Sequence, residues 1–138
     1  MTPSIRRVLE TSLYCDDLAA TAKFYREVMG FGVHFSDDRL VALDAAGGTV
    51  LLLFQRGVSS AGVSFPEGTI PPHDGTGPAH VAFAVDAGSL DAWEARLTKA
   101  GVAIESRIRW SRGGRSIYFR DPEGHSLELA TPGVWPTY

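Results

Sequence analysis

Glu10, His80 and Glu128 are residues of metal-ligating and acid–base type that fall on one kind of position in a 138-residue chain, the polar face of a strand-like segment. In RVLETSLYC (Arg7 to Cys15), Glu10, Ser12 and Tyr14 face one way, and Leu9, Thr11 and Leu13 the other. His80 to Val85 offers His80, Ala82 and Ala84, and Ser126 to Ala130 offers Ser126, Glu128 and Ala130. The opposite faces carry Leu9, Leu13, Val81, Phe83, Val85, Leu127 and Leu129, which suit packing against helices. A sheet face of serines and alanines around ionisable groups leaves volume where a core would fill it, as a ligand cavity does. Two carboxylates and an imidazole in such a space cost desolvation unless protons or a cation compensate, and a divalent metal ion does so. Taken singly, each of the three also reads as a rim residue paired with one of the eleven arginines; their matched placement favours the site.

The elements that carry these residues repeat. After the first strand, Asp16-Asp17 supplies a helix N-cap before Leu18 to Met29, where Leu18, Ala22, Tyr25 and Met29 recur at helical spacing and Gly30 ends the helix. Strands are predicted at Gly32 to Ser36, Leu40 to Leu43 and Val50 to Gln55. Residues 56–78, with four prolines, break the periodicity and read as a long surface connection or lid without strands of its own. The plan then returns: a strand from His80, a helix over Ser89 to Ala100 ended by Gly101, and strands at about Ala103 to Trp110, Arg115 to Arg120 and Ser126 to Ala130. Glu10 corresponds to His80 and Gly30 to Gly101. The expected fold class is α+β: two tandem βαβββ modules forming a curved mixed sheet around a concave site, with helices on the outer face. Either half alone buries a sheet face poorly, so residues 1–138 are expected to form one domain. Its first module spans about 5–56, the connecting loop 57–77 and the second module about 78–132.

Composition excludes several classes. A net charge of -3 argues against a nucleic-acid partner. The single cysteine, Cys15, rules out an intramolecular disulfide and a cysteine-rich zinc site. Met1 to Glu10 has no signal-like apolar run, and no segment approaches the roughly 20 apolar residues that span a bilayer. A cytoplasmic protein without membrane partners is expected.

Three segments resemble the vicinal oxygen chelate superfamily of glyoxalase I, fosfomycin resistance enzymes, extradiol dioxygenases and bleomycin resistance proteins: Leu9 to Phe31, Gly77 to Val85 and Ile117 to Pro132. The last is the most specific, with Asp121-Pro122-Glu123-Gly124-His125 before a Leu-Glu-Leu strand. The resemblance implies one divalent metal ion (Zn, Mn, Ni, Co, Mg or Fe) held by Glu10, His80 and Glu128, a small-molecule substrate and a homodimer. A further glyoxalase I ligand would fall at Leu52, where it is missing. Glu10 stands where extradiol dioxygenases have a histidine, and this favours Lewis-acid chemistry over oxygen activation. The function implied is a metal-dependent lyase, isomerase or transferase that chelates vicinal oxygens and stabilises an oxyanion or enediolate. A non-catalytic binding protein of the bleomycin-resistance type and a ring-cleaving dioxygenase are the alternatives.

Around these three, Tyr118 is a candidate acid, base or oxyanion donor beside Glu128, although an ordinary half-buried strand tyrosine is the favoured reading of that position. Ser12 and Tyr14 face the expected cavity. Arg115, among Arg107, Arg109, Arg112 and Arg120, could hold a substrate anion or simply coat a solvated strand face. His73 in the connection could close over a ligand, and Trp110 could wall the site. His125 reads as part of its turn, Gly113-Gly114 as a hairpin turn, and His34 and Cys15 carry no motif.

Overall fold

The computed structural model describes residues 1–138, which divide into two compact units, Met1–Thr76 and Gly77–Tyr138. In the first unit, β1 (Glu10–Cys15) is followed by α1 (Leu18–Glu27), β2 (Gly32–Ser36), β3 (Leu40–Asp44) and β4 (Val50–Gln55), and the sheet order is β1-β4-β3-β2. In the second, β7 (His80–Ala84), a 3-10 turn (Ala87–Ser89) and α2 (Leu90–Lys99) precede β8 (Ser106–Arg109), β9 (Arg115–Arg120) and β10 (Ser126–Ala130), with order β7-β10-β9-β8. In both sheets the first and last strands pair in parallel and the remaining neighbours antiparallel. The fold is α+β, with two βαβββ modules and a four-stranded sheet in each.

The registers give the repeat its meaning. Glu10 lies opposite Val50 and Ser12 opposite Leu52, just as His80 lies opposite Ser126 and Ala82 opposite Glu128. Leu52 is therefore the counterpart of Glu128, and Ala42, across from Leu52, is the counterpart of Tyr118. One plan carries apolar side chains in the first unit where it carries polar ones in the second.

Each helix covers one face of its own sheet. Asp17 caps α1 by accepting from the Ala20 amide at 3.0 Å. Gly30 takes φ 80°, a backbone that favours glycine, and lets the Phe31 amide return to the Tyr25 carbonyl at 3.0 Å. Gly101, at φ 78°, does the same for α2, where the Val102 amide bonds the Leu97 carbonyl at 2.9 Å. The first core packs Leu18, Ala22 and Tyr25 of α1 on Leu13, Val41, Leu43, Leu51 and Leu53; the second packs Leu90 and Leu97 of α2 with Ile117, Phe119, Leu127 and Leu129.

Three expectations change. Residues 56–78 do contain strands: β5 (Val63–Phe65) and β6 (Gly68–Ile70) form a small hairpin, too short to register as periodicity. The first strand starts at Glu10, not Arg7, so Leu9 lies outside it and is 58% exposed. The strand expected over Ala103 to Trp110 shortens to Ser106–Arg109, and Trp110 is left on the turn that follows. Beyond the hairpin, Arg56 ties the connection down: its Nε bonds Asp16 at 2.7 Å, Nη1 donates to the Gly75 carbonyl, and Nη2 to the Tyr14 carbonyl at 3.3 Å.

Candidate functional site

In the second unit, β10 carries Glu128 between Ala82 of β7 and Tyr118 of β9. Glu128 is only 6% exposed, and a buried carboxylate must have its oxygens satisfied. Oε2 accepts from Ser116 Oγ at 2.6 Å, and that hydroxyl in turn accepts from Trp110 Nε1 at 2.8 Å. Oε1 lies 3.3 Å from His80 Nε2. The other ring nitrogen of His80, Nδ1, is 2.9 Å from the Ser126 carbonyl. A carbonyl oxygen can only accept, so Nδ1 carries a proton. His80 Nε2 must then either hold a second proton or turn its lone pair toward the carboxylate.

Tyr118 stacks on His80, with ring centroids 6.2 Å apart and planes at 24°. Burial first, and the negative charge of Glu128 second, push its phenol above the ordinary value of 10.0. Trp110, Tyr118 and Glu128 line a cavity of about 380 Å³, together with Ala82, Ala84, Ala130 and the C-terminal Val134, Trp135 and Tyr138. The C-terminal segment is held by the Tyr138 hydroxyl, which donates to the Val85 carbonyl at 2.9 Å.

Arg115 is not among these residues. It alternates with Ser116 and Tyr118 along β9, so it points to the helix side, where Nη2 pairs with Asp91 of α2 at 3.1 Å. Arg107 pairs with Glu94, and Arg120 with Glu105. His125 is buried in its turn, 2.7 Å from Asp121.

The first unit holds a second cavity, of about 610 Å³. Glu10, Ser12 and Tyr14 of β1 line it as their alternation requires, beside Leu52 and Phe54 of β4 and Leu40 of β3. The hairpin contributes Val63, Phe65 and Ile70, and the connection His73. The Tyr14 hydroxyl meets His73 Nδ1 at 2.6 Å; Phe54 stacks on Tyr14 and takes the His73 ring edge-on. Burial, then the charge of Asp74, raises the Tyr14 phenol above 10.0. Glu10 itself is exposed at the start of β1.

Within the chain, His80, Glu128 and Tyr118 come together in the second unit, and Tyr14 and His73 in the first. No group of three His, Cys, Asp or Glu side chains is gathered for a metal ion. Ser116, which donates to Glu128, and Arg39, which lines the first unit's cavity, are not singled out in the sequence as site residues. Ser116 shares a face with Tyr118, which is a findable signal; Arg39 precedes a strand and carries none.

Relatives agree with this architecture. The lactoylglutathione lyase of Agrobacterium tumefaciens has a similar structure, with 33% sequence identity, a TM-score of 0.88, and coverage of 97% of this chain and 99% of that one. TnmS3, an antibiotic binding protein from Streptomyces sp. CB03234, is 26% identical with a TM-score of 0.67, over 95% of this chain and 99% of its own. Metallothiol transferase FosB of Shouchella clausii (strain KSM-K16) is 44% identical over 54 residues, 38% of this chain, so the matched stretch spans only 37% of that relative's length. FosB of Staphylococcus epidermidis (strain ATCC 12228 / FDA PCI 1200) is 31% identical over 116 residues, 83% of this chain and 74% of the relative. Residues 7–129, nearly the whole of both βαβββ modules, match a single family description, and the chain belongs to the Glyoxalase/Bleomycin resistance protein/Dioxygenase superfamily.

Proposed function

We propose that this chain is a divalent-metal-dependent enzyme of the glyoxalase type, acting on a small substrate with two neighbouring oxygens as a lyase, isomerase or transferase. The observation that carries the reading is the pose of His80. Its Nδ1 proton is committed to the Ser126 carbonyl, and Nε2 stands 3.3 Å from a buried carboxylate oxygen. A metal-binding histidine is commonly held this way, by a backbone acceptor on the far nitrogen. His80 and Glu128 would hold the ion, and Glu10, exposed at the start of β1, is the third ligand that the family resemblance implies, giving oxygen and nitrogen donors suited to Zn, Mn, Ni, Co or Mg. A bound ion would supply Lewis-acid chemistry, drawing charge from the substrate oxygens as negative charge develops on them.

The chain's own groups have distinct tasks. Ser116 donates to Glu128 Oε2 and leaves Oε1 turned to His80. Tyr118 has a raised pKa, so near neutrality it is a proton or hydrogen-bond donor and not a phenolate base. Ser12, Tyr14 and His73 are the substrate-contact candidates of the first unit's cavity and Trp110 that of the second unit's; Arg115, spent on Asp91, is a weaker candidate. A homodimer is the proposed assembly.

Protein stripped with chelator and titrated with Co²⁺ tests the reading through its visible absorption. One ion per chain is expected, with affinity at least tenfold weaker in His80→Ala, Glu128→Gln and Glu10→Gln. Equal binding by wild type and Glu128→Gln would sink the metal site, and equal binding by Glu10→Gln would remove only the third ligand. A second reading, a binding protein without catalysis, is supported by the apolar 610 Å³ cavity and the likeness to TnmS3. It requires that ligand capture survive metal removal and all three substitutions.

A further inference from the structure

The cavity of the first unit has two chemically different ends. Glu10 and Tyr14 bound it along β1, four residues and roughly 13 Å apart at strand rise. Between them the floor is apolar, formed by Leu52 and Phe54, and Val63 and Phe65 of the hairpin supply further apolar wall. Leu40 pairs with Phe54, and Phe54 with Tyr14, so Arg39 stands at the Tyr14 end. The Gln55 amide bonds the Arg39 carbonyl at 2.8 Å, which fixes that placement.

Arg39 is a half-buried cation lining this cavity, and it makes no salt bridge. Its Nη2 donates to the Val58 carbonyl at 3.3 Å. Asp37, the carboxylate whose charge it feels, takes the backbone amides of Arg39 and Leu40 on Oδ1 at 2.8 and 2.9 Å and forms no salt bridge with the guanidinium. The guanidinium therefore retains donors for an anion. Beside it, the Tyr14 hydroxyl meets His73, which adds hydrogen-bonding groups to the same end.

From this juxtaposition we infer that the cavity binds an elongated apolar acid: a ring-bearing or chain molecule whose carboxylate or comparable anion meets Arg39 and whose far end reaches toward Glu10. A cavity of about 610 Å³ suits a ligand of that size. Placing the reactive oxygens of such a substrate at the Glu10 end rests on the metal reading above. The anion-specific capture at Arg39 does not.

Calorimetric titration of the full chain, both as purified and after chelation, with 4-biphenylcarboxylate and the neutral 4-biphenylmethanol tests the inference. The acid is expected to bind one per chain and at least tenfold tighter than the alcohol. Arg39→Gln should erase that preference and Arg39→Lys retain most of it. Leu52→Trp and Ser12→Trp fill the cavity from two different strands, and each should weaken the acid at least tenfold. Absence of acid binding, equal affinity for acid and alcohol, or full binding by whichever filled variants fold would overturn the proposal. Co²⁺ titration of the same samples separates the two readings. Acid binding without cobalt binding removes the metal site and leaves this cavity; cobalt binding without acid binding does the reverse.

Discussion

Ser116 Oγ lies 2.6 Å from Glu128 Oε2, a hydrogen bond between two buried side chains on neighbouring antiparallel strands. The hydroxyl also accepts from Trp110 Nε1, so one oxygen satisfies an indole donor and a carboxylate acceptor together. This short relay lets a carboxylate stay buried with one oxygen free to face His80.

Replacing Ser116 by alanine leaves both neighbours short of a partner. Removing one side of a buried hydrogen bond costs about 1–3 kcal/mol, more when the orphan is charged. Ser116→Ala should therefore lower unfolding stability in urea by about 2 kcal/mol. Ser116→Thr, which keeps the hydroxyl, should lose less. Trp110 fluorescence should shift in the alanine variant before any unfolding; an unchanged spectrum and unchanged stability would mean the relay holds nothing.

Asp121 and His125 make the second buried polar contact that matters, Oδ2 to Nδ1 at 2.7 Å, in the turn between β9 and β10. Oδ1 of the same carboxylate accepts from the Glu123 and His125 amides at 2.9 and 3.0 Å. Asp121→Ala removes three acceptor contacts at once and leaves buried donors without a partner, each costing about 1–3 kcal/mol. The urea midpoint should fall accordingly with an unchanged slope. Because this turn feeds β10 directly, Co²⁺ binding should weaken in parallel with stability and not before it.

Much of this was legible in the residues. Arg115–Arg120 and Ser126–Ala130 are strands with the expected bounds, because alternation against a one-sided core sets a period of two that little else produces. The Glu10–His80 correspondence survives as identical ladder registers in the two units. Hairpin β5–β6 is not legible because three-residue strands carry no period, and the pairing of Arg115 with Asp91 on the helix side is not legible because a strand's two faces cannot be labelled until the helix is placed. Arg39 escaped for a third reason: a loop cation shows its role only through what surrounds it.

On the acid side, the exposed pairs Glu94–Arg107 and Glu105–Arg120 set a pH dependence of definite sign. Hydrogen bonding to the partner guanidinium is the main cause that holds each carboxyl below its ordinary 4.5. A depressed folded-state pKa contributes stability that is present above 4.5 and lost as pH falls through the lower folded value. Arg107→Gln with Arg120→Gln should flatten the wild-type decline in melting temperature below that pH and change little at neutrality, since exposed pairs are weak. A decline as steep in the double variant as in wild type would place the acid sensitivity elsewhere.

The alkaline side runs through Tyr14. Burial, then Asp74, raises its phenol above 10.0, so the folded state holds a proton that the unfolded chain has released. Its contribution is complete below 10.0 and disappears as pH climbs through the folded value. Tyr118 and Tyr138 are displaced in the same direction, so stability should decline steeply at high pH. Tyr14→Phe removes one of these protons and the bond to His73, which predicts two separable effects. Stability near neutrality should drop by about 1 kcal/mol, the net worth of a hydrogen bond. Above pH 10, the gap to wild type should then narrow, since the variant has one proton fewer to lose. Tyrosinate absorbance followed in parallel should lose one of its late-titrating tyrosines in Tyr14→Phe. A gap that widened with pH would mean Tyr14 ionises readily in the folded protein, its phenolate accepting a hydrogen bond from the His73 ring.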